Sequence, residues 1–271
     1  MAEVTTMARR RSPLAEELST IAVLVRRDLT RFVRERSRIV GALVQPLIFW
    51  LVIGSGMSST FRLPGASDVD YMEYFFPGVV IMVVLFTAIF TTMSVIEDRH
   101  SGFLQAVLVA PGSRASVVLG KCLGASSIAL IQGFVFLLLS PLAGFDLASI
   151  AWPAVVGGLT LTCLSLCVLG FGVAWWLDST AGYHVVMSLV LLPLWILSGA
   201  MFPAEHGVMA WVQRCNPMSY AVSLVRRGIY GQSLPEGMTL ITGSALVELS
   251  VLLVFLLVCT AWSVSLCYRR R

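Results

Sequence analysis

The chain has 271 residues, 57% of them hydrophobic and only 13% charged, with a mean hydropathy of +0.86. That composition excludes a soluble enzyme or soluble binding module and marks a membrane protein. The formal net charge of +4 does not point to nucleic acid, because the arginines are not interleaved with aromatics on a soluble face.

The first element in chain order is basic and amphipathic. Leu14, Leu18, Ile21, Ala22, Val25, Leu29, Phe32 and Val33 recur at steps of three and four, while Arg26, Arg27, Arg31, Arg34 and Arg38 take other positions. This predicts an interfacial helix on the inner leaflet leading into the first span; the alternative is a cytosolic helix packed on a partner. The basic segment is long and shows no cleavage site, so no removable leader is expected.

Six apolar windows follow, near residues 39–57, 76–96, 117–140, 152–177, 184–202 and 240–266. Each is close to the roughly 20 residues that a spanning helix needs. Gln45–Pro46 in the first window and Pro193 in the fifth remove backbone donors and predict kinks. Gly120 and Gly124 in the third allow a close helix approach. Nine of the nineteen basic residues precede the first span and Arg269, Arg270 and Arg271 follow the last, which predicts cytoplasmic termini. Residues 58–75 then fall outside and carry Asp68, Asp70 and Glu73 against Arg62 alone; Arg214, Arg226 and Arg227 dissent from an outer loop.

Between the second and third spans lies EDRHSGFLQAVLVAPGSRAS, residues 97–116. Phe103, Leu104, Val107 and Leu108 fall on one helical face, so a short helix over 97–110 is predicted, stopped by Pro111 and Gly112. Its apolar face would anchor it, leaving Glu97, Asp98, Arg99 and His100 free to meet a partner. Lys121, just beyond, is expected to snorkel to the cytoplasmic surface. Residues 203–239 predict two short external helices broken at Asn216–Pro217, with Trp211, Tyr220 and Tyr230 in the headgroup layer. Glu248, about a third of the way into the last window, must face protein or a wet cavity, as a pathway acid or a protonated structural one.

The chain shows little chemistry of its own. Gly120–Lys121 lacks the upstream glycine and the following Ser or Thr of a phosphate-binding loop. No HExxH or GxSxG occurs, and His100, His184 and His206 are dispersed, so no metal site, catalytic residue or directly bound cofactor is expected. The six cysteines form no CxxC; five lie in or beside spans as small hydrophobes, and only Cys215 falls outside.

Four stretches together carry a resemblance: RIVGALVQPLIFWLVIGSG, EDRHSGFLQAVLVAPGSRASVVLGK, LSGAMFP and NPMSYAVSLVRRGIYG. In their order and spacing, over about residues 20–267, they resemble the permease subunit of type-2 ATP-binding-cassette (ABC) exporters, the group of daunorubicin-resistance, nodulation-factor and polysaccharide exporters. The resemblance implies an all-α membrane protein with the fold shared by the G-subfamily, the type V exporters. Its parts would be an N-terminal region (1–38) carrying the interfacial helix and a permease domain (39–271) of six transmembrane helices, a cytoplasmic coupling helix and short external re-entrant helices. It implies a second permease copy or homologue, two separate ATPase subunits that hold ATP and Mg, and membrane lipid around the chain. The cargo would be a lipophilic or lipid-linked substrate moved across the cytoplasmic membrane. Glu97–His100, Gly102 and Pro111 would correspond to the coupling helix, and Gln45–Pro46 to the first-span motif. Many family members carry acids near Gln105–Ala106 and near Ser223, where this chain has none. The translocation path is expected between two permeases, lined by the first, second and fifth spans. The alternative class is a self-contained secondary carrier using Glu248 as its proton site.

Overall fold

A computed structural model describes residues 12–58, 69–108, 113–204, 206–231, 234, 235, 238 and 240–269. Among these the protein is all helical, and six helices are long and apolar enough to cross a membrane. The amphipathic segment forms α1 (Pro13–Arg34), capped by the Ser12 side chain on the Ala15 amide with proline in its first turn. Glu35 alone separates it from α2 (Arg36–Met57), the first span.

The second span is the hub. Helix α3 (Tyr71–Thr92) is buried at every residue from Tyr74 to Ile89, as its all-round apolar sequence dictates. It packs against α2, α6 (Arg114–Leu137), α7 (Trp152–Trp176) and α10 (Pro217–Tyr230). This corrects the expectation that the second span lines a path outside the protomer. The exposed spans are α2, α8 (Thr180–Trp195) and α11 (Ala245–Arg269), whose apolar windows are only 22, 22 and 17% buried. Helix α11 lies close on α7: a Cβ on Gly172 would come within 2.5 Å of Ser263 Oγ, and that hydroxyl donates to the Val168 carbonyl at 2.8 Å.

Helix α1 does not stand apart. It lies against α6, where a Cβ on Gly120 would sit 3.3 Å from the Ile21 Cα and one on Gly124 3.4 Å from the Val25 Cα. The Gly-x3-Gly pair therefore receives α1 rather than another span. The chain turns from α3 through Met93 into α4 (Ser94–His100), reverses at Gly102, and enters α5 (Phe103–Leu108). Gly102 has φ +75° with open space around it, so its conformation, not crowding, calls for glycine. At the other end of the bundle, α9 (Gly207–Cys215) and α10 form the predicted pair, joined at Asn216, whose side chain caps Met218. Tyr230 is buried edge-on against Phe145 at 4.9 Å and is core rather than a headgroup anchor, whereas Trp211 is exposed.

Candidate functional site

At the end of the bundle carrying α1, α4 and α5, three helices bring their charges to one point. Lys121 of α6 is 2% exposed, and its Nζ donates to both oxygens of Asp28 at 2.9 Å and to Asp98 Oδ2 at 2.8 Å. Arg27 of α1 holds Asp98 with a two-pronged grip at 2.8 and 2.6 Å, and Arg31 reaches Glu97 at 2.6 Å. The geometry follows from spacing. Asp28 stands one turn after buried Leu24 on the face that meets Gly120 and Gly124, so it points at α6 and finds the lysine. Two cations and two carboxylates balance, which is what makes burial tolerable. Burial pushes the Asp28 carboxyl above its ordinary value despite Lys121 beside it, while the hydrogen bonds to Asp98 hold the Arg27 guanidinium up.

This arrangement corrects three expectations from the sequence. Lys121 does not snorkel, because its partners come to it from α1 and α4. Glu97, Asp98 and Arg99 are not free: they end the second span rather than opening the short helix, and Arg99 donates to Asp178 at 2.5 Å and to the Trp175 carbonyl at 2.9 Å. The single helix over 97–110 is in fact two, because Gly102 breaks it. Of the four charged positions only His100 is exposed. In α5, Leu104 is buried, Phe103 lies under the Arg27 guanidinium at 3.7 Å, and Val107 packs on the core, as the apolar pattern predicts. The outward face of this turn is His100, Ser101, Gln105 and Ala106. The side chain of Leu108 and all of Pro111 lie outside the described residues.

The opposite end is built around a helix that stops early. Pro193 and a wide turn at Ile196–Ala200 unwind α8, with Gly199 at φ +79°. Backbone carbonyls released there need partners. Asn216 donates to Leu194 at 2.6 Å, Tyr74 and Arg226 to Gly199 at 2.8 and 3.1 Å, Tyr71 to Met201 at 3.2 Å, and Gln213 to Phe202 at 3.1 Å. Glu248 sits in the first turn of α11, earlier in the span than its sequence position predicts, and is fully buried. Its carboxylate accepts from Ser223 at 2.7 Å, Arg227 at 3.3 Å and Thr242 at 3.3 Å. Gln45 lies exposed on α2 with no hydrogen-bond partner among the described residues, and Pro46 is buried.

The order of these parts is matched in known proteins. The profile of the ABC-2 type transporter family matches residues 19–230, from within α1 to the end of α10. The chain belongs to the ABC-2 type transporter family. It is 26% identical over 217 residues to the putative transport permease ycf38 of Cyanophora paradoxa, covering 77% of this chain and 73% of that one. It is 27% identical over 210 residues to the daunorubicin resistance ABC transporter permease protein DrrB1 of Streptomyces coeruleorubidus (72% and 69%). Against nodulation protein J of Neorhizobium galegae it is 26% identical over 209 residues (73% and 76%).

As an ABC-2 permease the chain is a multi-pass membrane protein that works with ABC ATPase components and is not itself an enzyme. The family match covers Asp28, Asp98, Lys121 and the unwound end of α8, while Glu248 lies beyond it. Ser223, near which the resemblance places an acid, donates to Glu248 of another helix at 2.7 Å. Sequence reading missed Asp28, Tyr71, Tyr74 and Gln213. Asp28 had a signal: an acid on the apolar face of the amphipathic helix, in a chain with a single lysine in a span.

Proposed function

We propose that this permease is the membrane half of an ATP-driven exporter that moves a lipophilic or lipid-linked substrate across the cytoplasmic membrane. Both termini lie in the cytoplasm, and two ATPase subunits drive a pair of permeases. The observation that carries the reading is the linkage of the exposed α4–α5 turn, through a buried charge cluster, to α1, α6 and the base of the central helix α3. A push on α5 is transmitted to α3, because Asp98 on the same rod is bonded to two neighbouring helices. Leu104 and Phe103 seat the turn on the protomer; His100, Ser101, Gln105 and Ala106 offer the contact face.

Orientation is supported by charge. The end bearing α1, α4 and α5 also holds Arg99, Arg114 and the C-terminal Arg269, with Arg114 donating to the Cys267 carbonyl at 2.8 Å. Pairing is supported by α2, whose exposed face forms an apolar groove along Gly41, Val44, Ile48 and Val52 with the Gln45 amide on it. An unpaired amide facing lipid gains a partner when two copies meet along this helix. The substrate path then runs between the α2 and α8 faces of two protomers. The rival, a proton-coupled carrier working through Glu248, loses ground because that carboxylate is tied to Arg227, Ser223 and Thr242.

The test is reconstitution of the full chain with its partner P-loop ATPase. ATP-dependent efflux of a hydrophobic dye or lipid-linked glycan that stops with an ATPase-dead partner supports the exporter. Efflux driven by a pH gradient without the ATPase refutes it.

A further inference from the structure

Behind the unwound end of α8 is a polar cavity of about 240 Å³ among Ser198, Gly199, Gln213, Ser219, Ser223 and Arg226. Arg226 is 3% exposed and Ser219 fully buried. The Arg226 guanidinium lies 4.2 Å over the Tyr74 ring and spends one Nη2 hydrogen on the Gly199 carbonyl. Its Nε has no partner among the described residues, nor does Ser219 Oγ. The other polar groups are committed: Ser198 donates to Trp195, Ser223 to Glu248, and the Gln213 amide to Phe202.

Charge decides what the cavity accepts. Among the described residues that line it, the charged side chains, Arg214 and Arg226, are both cations. A carboxylate behind the wall, Glu248, is held by Arg227, Ser223 and Thr242, and no ion pair among the described residues includes Arg226. A buried guanidinium without a counter-charge is costly, and a forked donor with a hydroxyl beside it matches an anion rich in acceptor oxygens. We infer that this cavity binds a phosphate-type oxyanion, free or as a lipid headgroup, through Arg226 and Ser219. It is a site at the outer end of the protomer, separate from the α2 groove, and it does not depend on what drives transport.

The test uses the purified full-length permease in phosphatidylcholine nanodiscs, with radiolabelled inorganic phosphate as probe and chloride at matched ionic strength as control. Phosphate should bind the parent and raise its melting temperature. Arg226→Gln should weaken binding about ten-fold or more and Ser219→Ala about three-fold, while Arg34→Gln on the exposed face of α1 leaves it unchanged. A second arm replaces free phosphate by nanodiscs doped with phosphatidic acid. Stabilisation there but not by inorganic phosphate, lost in Arg226→Gln, identifies the headgroup as occupant. If Arg226→Gln fails to fold, Ser219→Ala still reads both arms. Parent protein insensitive to phosphate and to phosphatidic acid, or binding that Ser219→Ala and Arg226→Gln leave intact, overturns the inference and leaves a merely hydrated cavity.

Discussion

Replacing Lys121 by methionine removes the buried cation that bridges Asp28 and Asp98 at hydrogen-bond distance while keeping the volume of the side chain. Three charge-assisted bonds of 2.8 to 2.9 Å are lost. The two carboxylates do not suffer equally. Asp98 keeps both prongs of Arg27, whereas Asp28 is left with an Arg27 nitrogen at 3.5 Å. Asp28 is 8% exposed, so the variant buries an acid without adequate compensation, and breaking such a pair costs about 3–5 kcal/mol. In a chain of this size that corresponds to a fall in melting temperature of about 6–20 °C. The assay is thermal unfolding of the detergent-purified permease followed by tryptophan fluorescence. Asp28→Asn added to Lys121→Met should recover much of the loss, giving a coupling of about 2 kcal/mol or more in the double-mutant cycle. Protonation offers a second check. An orphaned Asp28 has its folded-state pKa raised further by burial, so its protonated form favours the fold, and the deficit of Lys121→Met should shrink as the pH falls through that raised pKa. A Lys121→Met protein as stable as the parent, or strict additivity in the cycle, would refute the argument that this cluster fastens α1 and α4 to α6.

The remaining outcomes concern geometry. Gly102→Val forces a branched side chain into φ +75° at a cost of about 1–2 kcal/mol, and should halve or abolish ATP-coupled transport at unchanged membrane abundance by re-aiming α5. Leu104→Asp should impair coupling far more than His100→Ala, since Leu104 is buried and His100 is not; equal transport in the two, measured in the assembled complex, would count against α5 as a seated element. Gly124→Leu should lift α1 off α6 and expose a cysteine introduced at Leu24 to a membrane-impermeant maleimide in inverted vesicles, where the Leu24→Cys parent stays protected. Glu248→Gln keeps the bond to Ser223 while loosening Arg227, so ATP-dependent transport should persist with modestly lower stability; complete loss of transport in a stable variant would revive Glu248 as a proton site.

Much of this architecture was legible in the sequence because the bilayer imposes simple rules. The apolar run from Tyr74 to Ile89 marked a span, and Asn216–Pro217 marked the break between two short helices. The apolar pattern of Phe103, Leu104 and Val107 named the seated face of α5 correctly. The failures share one cause: periodicity within a segment says which face is apolar but not which other segment meets it. Glu97, Asp98 and Arg99 looked solvated because Arg27, Arg31, Lys121 and Asp178 lie far away in the chain. The second span looked like a path-lining helix because nothing in an apolar run distinguishes facing lipid from facing other helices. The role of Tyr74 and Tyr71 as donors to an unwound helix was hidden for the same reason, since the carbonyls they satisfy lie more than a hundred residues downstream.

ATPase engagement at the α4–α5 turn is the step on which the proposed exporter depends. It is tested most directly by cross-linking from single cysteines at Gln105 and Ala106, on the outward face of α5, in the complex reconstituted with its ATPase. Cysteines at those two positions should cross-link to the ATPase subunit with a yield that changes on adding ATP. A cysteine at Asp70, at the other end of the second span, should give none. An ATPase captured from Asp70, or from neither Gln105 nor Ala106 in a complex that hydrolyses ATP and transports, would contradict the account.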